Sequence, residues 1–141
     1  MTKILNEYSF NDIFIGQKES FMIKITESMV EKFGNLSGDL NPLHMDTKFA
    51  ESSSFKKRIV HGMFLATFFS QLVGMHLPGK NALYFSQTLN FRSPCYIGDE
   101  IEIIGEVTEK SDSTKIITVS TSIFNKSKTC LIDGIAKIIV R

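Results

Sequence analysis

The sequence predicts an α+β domain, a long antiparallel sheet wrapped around one long central helix. Three observations lead there. Residues 62–76 are apolar at Met63, Phe64, Leu65, Phe68, Phe69, Leu72, Val73 and Met75, a stretch too long for a typical strand and apolar around most of a helical circumference. Such a helix is expected to be buried on nearly all sides, and Pro78-Gly79 stops it. The remainder of the chain is β-patterned, with long strands at residues 83–91, 100–109, 115–125 and 129–140. Ile97-Gly98-Asp99, Ser111-Asp112 and residues 125–128 supply short turns, the connection that antiparallel neighbours need.

The elements before the central helix follow from local signals. The first dozen residues are expected to lie over the surface, and residues 20–25, rich in Phe, Met and Ile, to form a short strand. Thr26 then caps a helix, with Glu27 in the first turn, where the helix dipole favours a negative charge. Met29, Val30, Phe33 and Leu36 give that helix an apolar stripe, and it ends near Ser37-Gly38, because glycine readily takes the left-handed conformation used at helix ends. Residues 39–44 follow as a loop or tight turn, and 46–50 as one helical turn. Ser52-Ser53-Ser54 and Lys56-Lys57-Arg58 make an exposed connection. No repeat, low-complexity tract or linker divides the chain, so residues 1–141 are read as one domain.

Composition narrows the function. A 141-residue domain buries about two-thirds of its unfolded surface and needs no metal or disulfide staple. The net charge of +1 does not suggest a nucleic-acid partner. Cys95 and Cys130 sit in no CxxC pair and beside no histidine, so zinc and dithiol motifs are absent. Two reduced cysteines suit a cytoplasmic protein. The N-terminal residues lack the pattern of a signal peptide, and no apolar run approaches the length of a membrane span.

One stretch stands out, Ser37-Gly38-Asp39-Leu40-Asn41-Pro42-Leu43-His44-Met45-Asp46. It sets a carboxylate and an imidazole five residues apart around an Asn-Pro turn. Pro42 fixes its own φ and pushes Asn41 toward an extended conformation, giving the rigidity a catalytic pair needs. Asp and His together can hold a water, one taking its proton while the other orients it or returns a proton. A plainer reading is open at this spacing: Asp39 caps the turn and His44 is a half-buried histidine with its hydrogen bond satisfied. The second signal is Ile59-Val60-His61-Gly62, directly before the central helix. Gly62 would place backbone N–H groups at a helix N-terminus, ready for a developing oxyanion, or would merely begin a closely packed helix.

Taken together, SGDLNPLHMD at residues 37–46, Phe49-Ala50 and IVHGM at 59–63 resemble the hydratase signature of MaoC-like proteins, which include the (R)-specific enoyl-CoA hydratases. LNFRSPCYIGDEIEI at 89–103 resembles the strand and turn that follow the central helix in that family. The resemblance spans roughly residues 10–140 in matching order. It implies a hotdog fold, with Asp39 and His44 as the catalytic pair and Gly62 as an amide donor to a thioester carbonyl. Asn41 would shape the catalytic loop or touch substrate, and His61 would be a structural neighbour of Gly62. The implied reaction is hydration of a trans-2-enoyl thioester to the (R)-3-hydroxyacyl product, or its reverse. The carrier would be coenzyme A or acyl carrier protein, with no metal and no redox cofactor. The resemblance further implies a homodimer or larger homo-oligomer, with the acyl tunnel formed between two subunits.

Other residues carry weaker signals. Lys56, Lys57 and Arg58 are read as a solvated run before they are read as ligands for coenzyme A phosphates. Arg92 is either structural or near the ligand mouth. Phe64, Phe68, Phe69 and Met75 are read as core or dimer packing, some of them lining the acyl tunnel. A hotdog thioesterase and a non-catalytic acyl-thioester binding module are the rival functions. The Asn-Pro-x-His arrangement argues against the first, and the presence of both Asp39 and His44 against the second.

Overall fold

In the computed structural model, which describes residues 4–141, alternation of side chains builds the sheet. In β4 (Glu100–Ser111) Ile101, Ile103, Gly105 and Val107 are buried between less buried neighbours, and Ile117, Val119, Thr121 and Ile123 of β5 (Ile116–Asn125) repeat the pattern. With β6 (Cys130–Val140), and with β1 (Lys18–Lys24) and β2 (Ala82–Gln87) at the edges, the antiparallel order is β1-β4-β5-β6-β2. A two-residue β3 (Asn90–Phe91) also pairs with β6. The expected single strand at 83–91 is therefore two pieces, interrupted at Thr88-Leu89. Gln87 turns its amide onto the Thr88 carbonyl (2.8 Å) and the Thr121 hydroxyl (3.0 Å), while Thr88 Oγ1 accepts from Ile135 N–H (2.9 Å).

The central helix α4 (Gly62–Gln71) lies against the inner face of the sheet, and its last turn widens to a π turn at Leu72–His76. Leu65, Phe69, Leu72 and Val73 are almost wholly buried, each contributing about 2–3 kcal/mol by leaving water. Gly105 lets the helix approach: a Cβ there would stand 2.9 Å from Leu72 Cδ2 and 3.2 Å from Val119 Cγ1. The helix is not covered all round. Met63, Thr67, Ser70 and Gly74, spaced to share one face, are exposed.

α1 (Glu27–Ser37) begins as expected, with Thr26 Oγ1 accepting from Met29 N–H at 3.3 Å. Its inner face differs from the expected stripe. Val30 and Gly34 are its buried residues, while Leu36 is 88% exposed. A Cβ on Gly34 would meet Met45 at 2.8 Å, so the helix presents a glycine where the next segment packs closest. That segment is helical as well: α2 (Pro42–Met45) replaces part of the expected loop, and α3 (Thr47–Glu51) follows. Among the first dozen residues, 1–3 lie outside the described part. Phe10 is not on the surface, since a short turn at Phe10–Asp12, capped by Ser9, folds it with Ile13 into a core with Val107, Ile117 and Ile138. Among the described residues no helix is long and apolar enough to cross a membrane.

Candidate active site

The loop between α1 and α2 is held by a relay of short hydrogen bonds. α1 ends on a left-handed Gly38 (φ 81°), whose N–H donates to the Gly34 carbonyl at 2.9 Å. Asp39 N–H donates to Ser37 Oγ (3.1 Å), and Asn41 N–H donates to Asp39 Oδ1 (3.2 Å). Leu43 N–H donates to Asn41 Oδ1 (3.0 Å), which caps α2 just before Pro42 at its first position. In the last three bonds a side chain accepts from the backbone two residues on, the mechanism by which Asp, Asn and Ser stabilise turns. Asn41 is thereby committed to the loop, and it is not among the residues that line the cavity described below.

His44 hangs from α2 with Nδ1 2.8 Å from the Ile59 carbonyl oxygen. A carbonyl can only accept, so Nδ1 carries a proton, and Nε2 of the neutral ring is bare. His61, the residue before α4, is 1% exposed, and its Nε2 lies 2.9 Å from the Asp39 carbonyl oxygen. By the same reasoning Nε2 donates there, while His61 Nδ1 is buried with no hydrogen-bond partner among the described residues. The two imidazoles stack, with centroids 4.1 Å apart and planes 29° apart, and Phe33 meets the His61 ring edge-on at 5.0 Å. Burial holds the His61 imidazole below the usual histidine range. The bond to the Asp39 carbonyl opposes this, and His44 nearby adds to it. His61 is therefore a neutral ring that grips the Asp39 backbone on one side and faces His44 on the other. Its contact with both residues had no signal in the sequence beyond its place beside Gly62.

Asp39, His44 and His61 each offer one polar atom within 4.8 Å of the others. One water can bridge groups at that separation, since two hydrogen bonds of about 2.8 Å span it. Among the described residues this is the group best placed to hold a metal ion. The stacked rings argue against it: their nitrogen lone pairs lie in nearly parallel planes, and one nitrogen of each ring already faces a carbonyl.

The trio opens on a cavity of about 470 Å³ that Gly62, Met63, Leu65, Phe91 and Ile132 also line. Intrahelical bonding begins with Phe64 N–H to the His61 carbonyl (3.1 Å), so the amides of Gly62 and Met63 precede the first bonded turn. Gly62 is pressed by its surroundings, because a Cβ there would stand 2.5 Å from Phe91 Cδ1. Phe64 and Phe68 pack against the buried core, as expected of them. Arg92 lines the cavity and is paired with Asp133 at 3.1 Å. Lys57 stands over the Tyr96 ring, 4.6 Å from its centroid.

The run Lys56-Lys57-Arg58 is not uniformly solvated. Arg58 is only 7% exposed, and its guanidinium bonds Glu27, Glu31 and the His44 carbonyl. The expectation of an exposed connection fails at Arg58, because two carboxylates of α1 neutralise it.

A sheet wrapped around one helix, with an Asp and a His facing one cavity beside that helix's N-terminus, defines a hotdog-fold protein. The chain belongs to the MaoC-like family: the model described as MaoC like domain matches residues 13–128. It is 39% identical over 126 residues to the (R)-specific enoyl-CoA hydratase of Aeromonas caviae, covering 89% of this chain and 94% of that protein. It is also 39% identical over 114 residues to a mitochondrial 3-hydroxyacyl-acyl-carrier-protein dehydratase of Arabidopsis thaliana, covering 79% of this chain and 68% of that protein. Among solved structures it resembles an R-hydratase of Pseudomonas aeruginosa in unliganded form, with a TM-score of 0.93 at 32% identity over 99% of this chain and 88% of that one.

Proposed function

We propose that this protein hydrates trans-2-enoyl thioesters, or dehydrates 3-hydroxyacyl thioesters, with Asp39 and His44 handling the water. One observation carries the reading: a carboxylate and a histidine whose Nδ1 is tied to a carbonyl face one cavity, within reach of a single water. His44 Nε2 takes the proton of that water as its oxygen attacks C3 of the enoyl group, and Asp39 orients the water. The thioester carbonyl accepts from the amides at the start of α4, which stabilise the enolate-like charge building on it. A proton then reaches C2 from the same side, so that one water has been added across the double bond. The named specificity of the Aeromonas caviae relative supports the (R) product. We assign the reaction no metal or redox cofactor, because the thioester itself makes the C2 proton acidic. Coenzyme A and acyl carrier protein both remain as carriers, since the relatives above include proteins named for each.

We further propose that the working unit is a homodimer joined at the β2 edge. β2 is the last strand of the sheet and carries exposed Leu83, Tyr84 and Phe85, and Met63 and Ile135 are exposed as well. An uncovered apolar edge of this kind pairs readily with another chain. We place the protein in the cytoplasm, where its two free cysteines, Cys95 and Cys130, would stay reduced.

The test is absorbance of crotonyl-CoA at the enoyl-thioester band, run beside a free-thiol assay. Loss of the band without thiol release supports the hydratase. Thiol release would replace it with a thioesterase. Neither signal on crotonyl-CoA or a longer enoyl-CoA would favour a binding module.

A further inference from the structure

We propose that Arg58 is a positioning residue that fixes His44 relative to Asp39 by tying it to the first turns of α1, the helix whose far end leads into Asp39. The inference rests on the hydratase reading for what His44 does, and on geometry alone for how His44 is held.

The guanidinium uses its three nitrogens on three partners. Nη1 lies 3.0 Å from Glu27 Oε1, Nη2 lies 2.8 Å from Glu31 Oε1, and Nε donates to the His44 carbonyl at 2.6 Å. Glu27 and Glu31 are one turn apart on α1, so they present two carboxylates on one face to a planar fork. The Arg58 side chain is 6% exposed, while those of Glu27 and Glu31 are 68% and 45% exposed. A buried cation with no counter-charge is costly, so the pair of carboxylates is what allows the arginine to sit against the catalytic loop.

The next residue completes the hold. The Ile59 carbonyl accepts from His44 Nδ1 at 2.8 Å, and Ile59 N–H donates to the Leu43 carbonyl at 3.3 Å. His44 is thus gripped at its backbone by the Arg58 side chain and at its ring by the Ile59 backbone. α1 is the common reference. Its first turns carry Glu27 and Glu31, and its C-terminal Gly38 leads directly into Asp39. The relation between the two proposed catalytic groups is set once through the covalent loop from 39 to 44, and a second time through α1, Arg58 and Ile59. A displacement of about 1 Å in such a pair costs on the order of a hundredfold in rate, so the second route bears on turnover.

Lysine keeps the charge at 58 but has no planar fork and cannot serve three partners in these directions. Arg58→Lys, and separately the double variant Glu27→Gln/Glu31→Gln, test the idea. The double variant keeps Arg58 and removes both of its counter-charges, so it breaks the same link from the α1 side, and circular dichroism shows whether each variant is folded. Each is read by kcat and KM on an enoyl-CoA, by circular dichroism, and by nitrogen NMR of the histidine rings, with His44 assigned by its loss in His44→Asn. The expected result is a kcat lower by about tenfold or more with KM within about twofold, since positioning acts on the transition state rather than on uniform binding. The His44 ring should move from one Nδ1-protonated form to a tautomer mixture, with His61 and His76 unchanged. A kcat within about twofold of wild type in both variants would overturn the proposal. So would a rise in KM alone, or a fall in kcat with the His44 tautomer unmoved. If wild type is inactive on every enoyl thioester, the hydratase reading fails, and the ring spectra alone then decide whether Arg58 holds His44.

Discussion

Removing the bare nitrogen of His44 while leaving its tether should abolish most turnover without unfolding the loop. His44→Asn does this, because the Asn amide takes the place of Nδ1–H toward the Ile59 carbonyl, 2.8 Å away in the native protein, and has nothing in place of Nε2. Asp39→Asn is the matching change, since its amide oxygen can still accept from Asn41 N–H as Asp39 Oδ1 does. A general acid–base group contributes about 10²–10⁴ in rate, so each variant should lose at least about a hundredfold in kcat/KM, roughly 2.7 kcal/mol of transition-state stabilisation. One polar atom of each residue lies within 4.8 Å of the other's, and the proposed mechanism has both act on one water, so they should fail as a unit. The double variant should therefore cost much less than the product of the two single losses. The assay is kcat/KM for crotonyl-CoA and a longer enoyl-CoA, with circular dichroism as the control for folding. If wild type is active and either single variant keeps near-normal kcat/KM on the preferred substrate, that residue is structural and the mechanism is wrong.

Three further outcomes follow from the packing. Folded His61 is held below the usual histidine pKa of 6.5, so between that value and the lower folded one the unfolded chain binds more protons. Stability is full above about pH 6.5 and falls as pH drops toward the folded value, so His61→Phe should lose less melting temperature than wild type between about pH 7.5 and pH 5; equal losses would show that His61 does not titrate this way. A Cβ on Gly134 would overlap the Thr88 carbonyl oxygen, backbone that cannot simply rotate aside. Gly134→Ala should therefore cost about 3 kcal/mol and lower the melting temperature by about 10 °C, whereas a shift under about 2 °C would mean that β6 yields freely. Sedimentation at low micromolar concentration should give a dimer, and Phe85→Glu on the β2 edge should give a monomer with weakened activity; a stable, fully active wild-type monomer would refute the proposed assembly.

The parts of the fold that were legible in the sequence are those set by one element's own pattern. The strands β4 and β5, the Thr26 cap and the left-handed Gly38 rest on local signals, and each stands where expected. The misread parts depend on a partner far along the chain. Leu36 fits a helical stripe, but α1 turns Gly34 inward to accept Met45, and an apolar count gives a glycine no weight. Nothing in the Thr88-Leu89 pair marks a break, which is made by Thr121 and Ile135 on two other strands. Arg58 ends a charged run that looks solvated until Glu27 and Glu31, about thirty residues earlier, are brought beside it. In the site, Asp39, His44 and Gly62 come together on one cavity, whereas Asn41 caps α2 and is not among the residues that line that cavity.

His61 shows why the catalytic loop can be exposed and still stiff. Asp39 lies at the surface, where a charged side chain on a free loop would sample many positions. Its main chain, though, accepts from a buried imidazole at 2.9 Å, and the flat face of that imidazole rests against His44 at 4.1 Å. The ring that supports both residues belongs to the segment that starts α4, whose Leu65 and Phe69 are almost wholly buried, so the loop inherits the rigidity of the core. That support leaves His61 Nδ1 buried without a partner among the described residues, and a buried polar atom left unpaired costs about 1–3 kcal/mol. A phenylalanine would avoid that penalty and could still stack on His44, but it would leave the Asp39 carbonyl without its donor. A histidine at this position thus exchanges stability for a fixed placement of Asp39 beside His44.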